Sequence, residues 1–166
     1  MRLFVSLSAA LSSLAILAAC TTETMQSPAA TSTAAAPALA AAPAASSDAG
    51  LIALMNDYRA TQGRGPLAPT ASLNAAALAH ARDMTQNGFF SHNGSGGSTV
   101  GSRTRATGCS WTGVSENIAQ GQTTPSQAMT TWIASDGHRR NILGPYTQFG
   151  EARVGNTWVA VFASGC

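Results

Sequence analysis

The near-continuous apolar run Trp158-Val159-Ala160-Val161-Phe162 constrains this chain more than any other stretch. Successive residues of a strand point to opposite faces, so an extended segment apolar at every position needs cover on both sides. Phe149 to Val154, a Gly155-Asn156 turn and Thr157 to Ala163 together read as a hairpin that contains this run. The strand therefore asks for a packed layer on each face of its sheet.

Upstream segments offer those layers. Leu51, Ile52, Leu54, Met55 and Tyr58 form one broad apolar helix face, which Ser47 or Asp48 can cap and which ends at the breaker Gly63-Arg64-Gly65-Pro66. A second helix is predicted from about Ala71 to Gln86, with Leu73, Ala77, His80, Ala81 and Met84 on one side. His80 lies on that stripe and reads as a hydrogen-bonded core residue rather than a ligand. Gly88 stops the helix, and Phe89-Phe90-Ser91-His92 follows as a short extended or turn segment. The Gly- and Ser-rich piece 93–102 reads as a loop, Arg103 to Ala106 as one helical turn, and Ser115 to Gly121 as a short strand.

Thr124-Pro125-Ser126-Gln127 is a capping-box pattern, with Thr124 at the N-cap, Pro125 in the first turn and Gln127 reaching back. The helix it opens carries Ala128, Met129, Trp132 and Ile133 inward and is expected to end at Asp136-Gly137. His138 to Leu143 is a second short turn before Gly144-Pro145. Helices first, then strands interleaved with helices, give an α+β domain with an antiparallel sheet between helical layers.

The first 47 residues follow other rules. Met1-Arg2 gives a short positive start and Leu3 to Leu17 is almost wholly apolar, as in a secretory signal. Leu17-Ala18-Ala19-Cys20 resembles the bacterial lipobox, which implies a signal peptide over 1–19 and a lipidated Cys20. An ordinary secretory signal or an uncleaved anchor are the alternatives, although the apolar segment is short of the roughly 20 residues that span a bilayer core. Residues 21–47 are Ala, Thr, Ser and Pro with almost no charge, and prolines 28, 37 and 43 interrupt any helix. Segment 20–47 thus reads as a lipidated cysteine followed by a tether, and 48–166 as the folded domain. The protein is expected outside the cytoplasm, lipid-anchored to the cell envelope. Thr21 in place of aspartate after the cysteine points to the outer membrane in a diderm.

With Cys20 acylated, Cys109 and Cys166 remain as a pair in an oxidising compartment, and a disulfide between them is the economical reading against two free thiols. The net charge is +2 in 166 residues. Arg139-Arg140 is the only basic pair, so the clustered cations that a nucleic-acid partner requires are missing.

Several short segments, each weak alone, line up in order: Leu54-Met55-Asn56-Asp57-Tyr58-Arg59, Leu73 through Met84, Ser91-His92, Arg103 with Gly108, and Glu116-Asn117-Ile118-Ala119. Trp132, Ser135, Gly137-His138-Arg139, Asn141-Ile142-Leu143, Gly150 and the Trp158-to-Phe162 strand continue the series. Together they resemble the CAP superfamily, the secreted domain shared by cysteine-rich secretory proteins, venom antigens and plant pathogenesis-related proteins, and most closely its bacterial branch. The resemblance implies a three-layer α-β-α sandwich whose central cleft is lined by two histidines and two acidic residues. His92 and His138 match the two histidines and Glu116 the first acid. Ser135 stands where the second acid would be, and Ser115 replaces the usual glycine before Glu116-Asn117.

Two imidazoles and a carboxylate suit a divalent metal such as zinc, which accepts two histidines and a glutamate with water in the fourth position. The competing arrangement is a buried network in which Glu116 accepts hydrogen bonds from both histidines. The resemblance also implies an arginine near the first histidine; Arg103 could pair with an acid or hold the 93–102 loop. The function that follows is a monomeric, non-catalytic envelope binding protein. Its cleft of His92, Glu116, Ser135 and His138 would take a lipid, a glycan or another envelope protein. The alternative is a hydrolase or protease-like activity in the same cleft, with Ser135 as nucleophile, His138 as base and Glu116 orienting the imidazole.

Overall fold

The computed structural model describes residues 50–166. The signal peptide, Cys20, the tether and the two cap candidates Ser47 and Asp48 lie outside the described residues. The elements are α1 (Leu51–Thr61), β1 (Ala68–Pro69), α2 (Ala71–Asn87), α3 (Val100–Ala106), β2 (Gly113–Gln120), α4 (Pro125–Ala134), α5 (Asp136–Ile142), β3 (Gln148–Val154) and β4 (Thr157–Ser164).

The strands form one sheet in the order β1-β3-β4-β2. β4 pairs antiparallel with both β2 and β3, and β1 pairs parallel with β3 through Ala68 and Pro69. The expected antiparallel sheet is therefore a mixed one. The two-residue β1 escapes the sequence because it has no pattern of its own and ends in proline, which belongs at sheet edges.

β4 is buried along nearly its whole length, as its composition demands. Trp158, Ala160 and Phe162 pack with Leu51, Met55, Met129, Trp132 and Phe149 beneath α1, α4 and α5. Val159, Val161 and Ala163 point the other way, into Leu73, Ala77, Ala81, Met84 and Ile118 beneath α2. Gly150 permits the close approach of that second layer, because a Cβ there would run into the backbone of Leu73 and Asn74. Cys109 and Cys166 form a disulfide with their Cα atoms 4.6 Å apart, which ties the chain end to the segment after α3.

Three boundaries differ from the sequence reading. α1 is capped by Gly50 with no side-chain bond. α3 begins at Val100, three residues earlier than expected, because Thr99 and Ser102 form a reciprocal capping box inside the Gly/Ser stretch. α4 ends at Ala134 rather than Asp136-Gly137. Ser135, at φ −100° and ψ 123°, is extended and serves as the C-cap of α4 and the N-cap of α5. Asp136 then falls in the first turn of α5, where the helix dipole favours a negative charge.

Candidate functional site

β2 is the outer strand of the sheet and the floor of the site. Its alternation sends Glu116 to the α2 and α3 face, alongside Val114 and Ile118, and sends Asn117 to the α5 face with Ala119. The outward carbonyls of β2 are taken up by the helices over its edge. Trp132 Nε1 donates to Ile118 O at 3.0 Å and Asn141 Nδ2 to Glu116 O at 3.2 Å. This covers an edge that would otherwise invite strand pairing.

Glu116 is 5% exposed. Its Oε2 accepts from Arg103 Nη2 at 2.7 Å and its Oε1 from His92 Nδ1 at 2.8 Å. Arg103 reaches it from α3 and also donates to Ser98 O at 2.9 Å and His92 O at 3.0 Å. Both roles offered for this arginine, pairing an acid and holding the loop, are thus filled by one side chain. Glu116 takes its hydrogen bonds from His92 and Arg103, where the network reading had given it both cleft histidines.

His92 is positioned by the end of α2. Gly88 adopts φ 66° at the C-cap, and Phe89 N–H returns to Met84 O, which turns the chain toward the sheet. His80, fully buried on α2, donates Nε2–H to Ser91 O at 2.8 Å and so holds the residue before His92. The same nitrogen lies 3.7 Å from Glu116 Oε1. His80 is therefore a core histidine, as its place on the apolar stripe indicated, and also the back wall of the site, which the stripe could not reveal. Burial, the largest influence, pulls its pKa below the ordinary 6.5 despite the opposing pull of Glu116. Its Nδ1 is buried without a hydrogen-bond partner.

His138 approaches from the other side of the strand, on α5. Asn117 Nδ2 donates to His138 O at 3.1 Å, and Asn141 Nδ2 to Asn117 Oδ1 at 2.9 Å. Burial first, and then the charge of His92, lower the His138 pKa. Its Nδ1 is buried without a partner. The side chain of Ser135 caps neither flanking helix and is bonded to neither histidine. The site therefore joins His92 and Glu116 directly and holds His138 beside them through the two asparagines. Asn117 and Asn141 lay inside the sequence motifs, yet only the fold shows that they are the clasp between β2 and α5.

A carboxylate on Nδ1–H leaves Nε2 of neutral His92 as a lone pair, on a side chain 56% exposed. The arrangement presents an oriented imidazole that can accept a hydrogen bond or a proton. Each carboxylate oxygen of Glu116 accepts one hydrogen bond, Oε1 from His92 and Oε2 from Arg103. Among the described residues no group of three or more His, Cys, Asp or Glu side chains is placed to hold a metal ion.

Residues 52–162 match the cysteine-rich secretory protein family, CAP. The chain is 34% identical over 115 residues to the Bacillus subtilis (strain 168) protein YkwD, covering 68% of this chain and 45% of that protein. It thus spans less than half of that relative. An extracellular protein containing an SCP domain from Bacillus anthracis superposes with a TM-score of 0.66 at 27% identity, covering 68% of this chain and 38% of that one. An outer surface protein of Borrelia burgdorferi gives 0.64 at 18% identity, covering 70% and 90%. A cysteine-rich secretory protein of Staphylococcus aureus gives 0.60 at 18%, covering 68% and 36%. The last two bear on the fold alone. Since the family match takes in α1 through most of β4, with every residue of the cleft, the chain belongs to the cysteine-rich secretory protein (CAP) family.

Proposed function

We propose that this CAP-domain protein works outside the cytoplasm, anchored to the envelope through an acylated Cys20, and that it binds a ligand rather than turning one over. The observation that carries the binding reading is the state of Glu116. Its carboxylate is occupied by Arg103 and by orienting His92, and among the described residues no hydroxyl or thiol is hydrogen-bonded to either cleft histidine. Nucleophilic catalysis needs a nucleophile within reach of its base, and Ser135 has no bond to His138. What remains is an oriented, half-exposed imidazole, with the exposed Phe90 two residues earlier in the chain, and a polar and an apolar group of this kind suit the polar head and apolar body of a lipid or the faces of a glycan. The location is supported by the lipobox-like Leu17-Ala18-Ala19-Cys20, and by the Bacillus anthracis relative described as an extracellular protein.

Two measurements test this. Titration of the full chain with oleate or an N-acetylglucosamine tetramer, followed by NMR, should move the His92 and His138 ring signals saturably; static rings with both probes count against a cleft binder. A serine-reactive fluorophosphonate should leave the protein unlabelled, and labelling that disappears in Ser135→Ala would return the hydrolase. For the anchor, Cys20→Ala should shift the protein from the membrane fraction to the soluble one.

A further inference from the structure

A second site lies away from the cleft, where the turn after α1 meets the turn between α5 and β3. Arg59 is 3% exposed. Its Nε donates to Gly65 O at 2.8 Å, Nη1 to Ile142 O at 2.6 Å and Gly144 O at 3.1 Å, and Nη2 to Tyr146 O at 3.1 Å. A guanidinium has five N–H donors, so four are used and one Nη2 proton is left. The carbonyl dipoles solvate the group but leave its unit charge uncancelled. Every ion pair among the described residues lies elsewhere. A buried charge without a counter-ion is costly, and here a second cation adds to it.

That second cation is Arg64, exposed and on the rim of the same cavity of about 270 Å³, which Gly65, Gly144, Tyr146 and Thr147 also line. Burial and then the charge of Arg64 both lower the Arg59 pKa, so the two guanidinia feel each other's field. Two arginines converging on a cavity with no acidic side chain in its lining form a donor set for an oxyanion, since the guanidinium fork matches phosphate geometry.

We propose that the Arg59–Arg64 cavity binds a phosphate group, as the free anion or as the phosphodiester of a lipid headgroup. The remaining Nη2 proton of Arg59 anchors one oxygen and Arg64 closes over the others. The lining of this cavity shares no residue with the His92–Glu116 cleft.

Calorimetric titration of the full chain with sodium phosphate and, separately, with glycerophosphoglycerol tests it, at fixed ionic strength so that general screening does not count. Saturable heat with at least one probe is expected, weakened about tenfold or more by Arg64→Gln. Arg64 makes no side-chain bond that the fold depends on, so the variant should melt with the wild type; Arg59 is unsuitable because it holds four carbonyls. Saturation by phosphate points to the free anion, and saturation by glycerophosphoglycerol alone to a lipid headgroup. No saturable heat with either, or binding that Arg64→Gln leaves unchanged, overturns the proposal.

Discussion

At the scale of the residue, Arg103 and Glu116 carry the site. Arg103 joins the loop carbonyl of Ser98, the carbonyl of His92 and the Glu116 carboxylate, and so reinforces the direct His92–Glu116 bond. Removing one partner of a buried pair strands the other charge, at about 3–5 kcal/mol. Arg103→Met is expected to lose that much in urea unfolding, and the double variant Arg103→Met/Glu116→Met should recover a large part; a double variant no more stable than the single would contradict the ion-pair account. His80 and His138 give the pH dependence. Both have folded-state pKa values below the ordinary 6.5. The unfolded chain therefore takes up protons first as pH falls, so their contribution is complete above about 6.5 and declines below it toward the folded values. His80→Phe should flatten the loss of stability measured between pH 7 and 5, at the expense of the Ser91 bond. Arg103 was readable as an arginine near a histidine. Its carboxylate partner was not, since 13 residues and a turn separate them.

At the scale of the element, α4 and α2 show what local chemistry can and cannot specify. The Thr124 capping box is present as read, with Gln127 Oε1 accepting from the Thr124 N–H. Such caps are legible because donor and acceptor lie within one turn. Ser135 was misplaced inside α4 because a single extended residue between two helices leaves no trace in composition. Gly150 belongs to the opposite case, a strand glycine whose importance depends on a helix 76 residues earlier in the chain. Gly150→Ala is expected to push α2 off β3 and to destabilise by roughly 1–3 kcal/mol, typical of overpacking, as measured by urea denaturation. An alanine variant as stable as the parent would mean that α2 yields without cost.

At the scale of the whole molecule, the domain closes on itself. One outer strand, β1, is two residues long with a proline, and the other, β2, is covered by Trp132 and Asn141. The Cys109–Cys166 disulfide spans 57 residues and anchors the last residue of the chain, which Gln148 also grips through its amide. Cys166→Ser should lower stability by about 2–5 kcal/mol, and a reductant should depress the melting temperature of the parent but not of the variant. The parent melting unchanged in reductant would show that the bridge is dispensable.

The sequence by itself determined the layers, the hairpin and the capped helix, because apolar periodicity, caps and turns act over a few residues, whereas His92, Glu116 and His138 were grouped as one cleft through the resemblance to the CAP family. It also determined the lone partner available to Cys109 once Cys20 is set apart. The tertiary structure alone decided what Glu116 is bonded to, that His80 stands behind it, that Asn117 and Asn141 clasp α5 to β2, and that Arg59 is buried with no counter-ion among the described residues. Those depend on which elements share a face of the sheet, and hydrogen bonds between distant segments are set by that packing rather than by any local pattern.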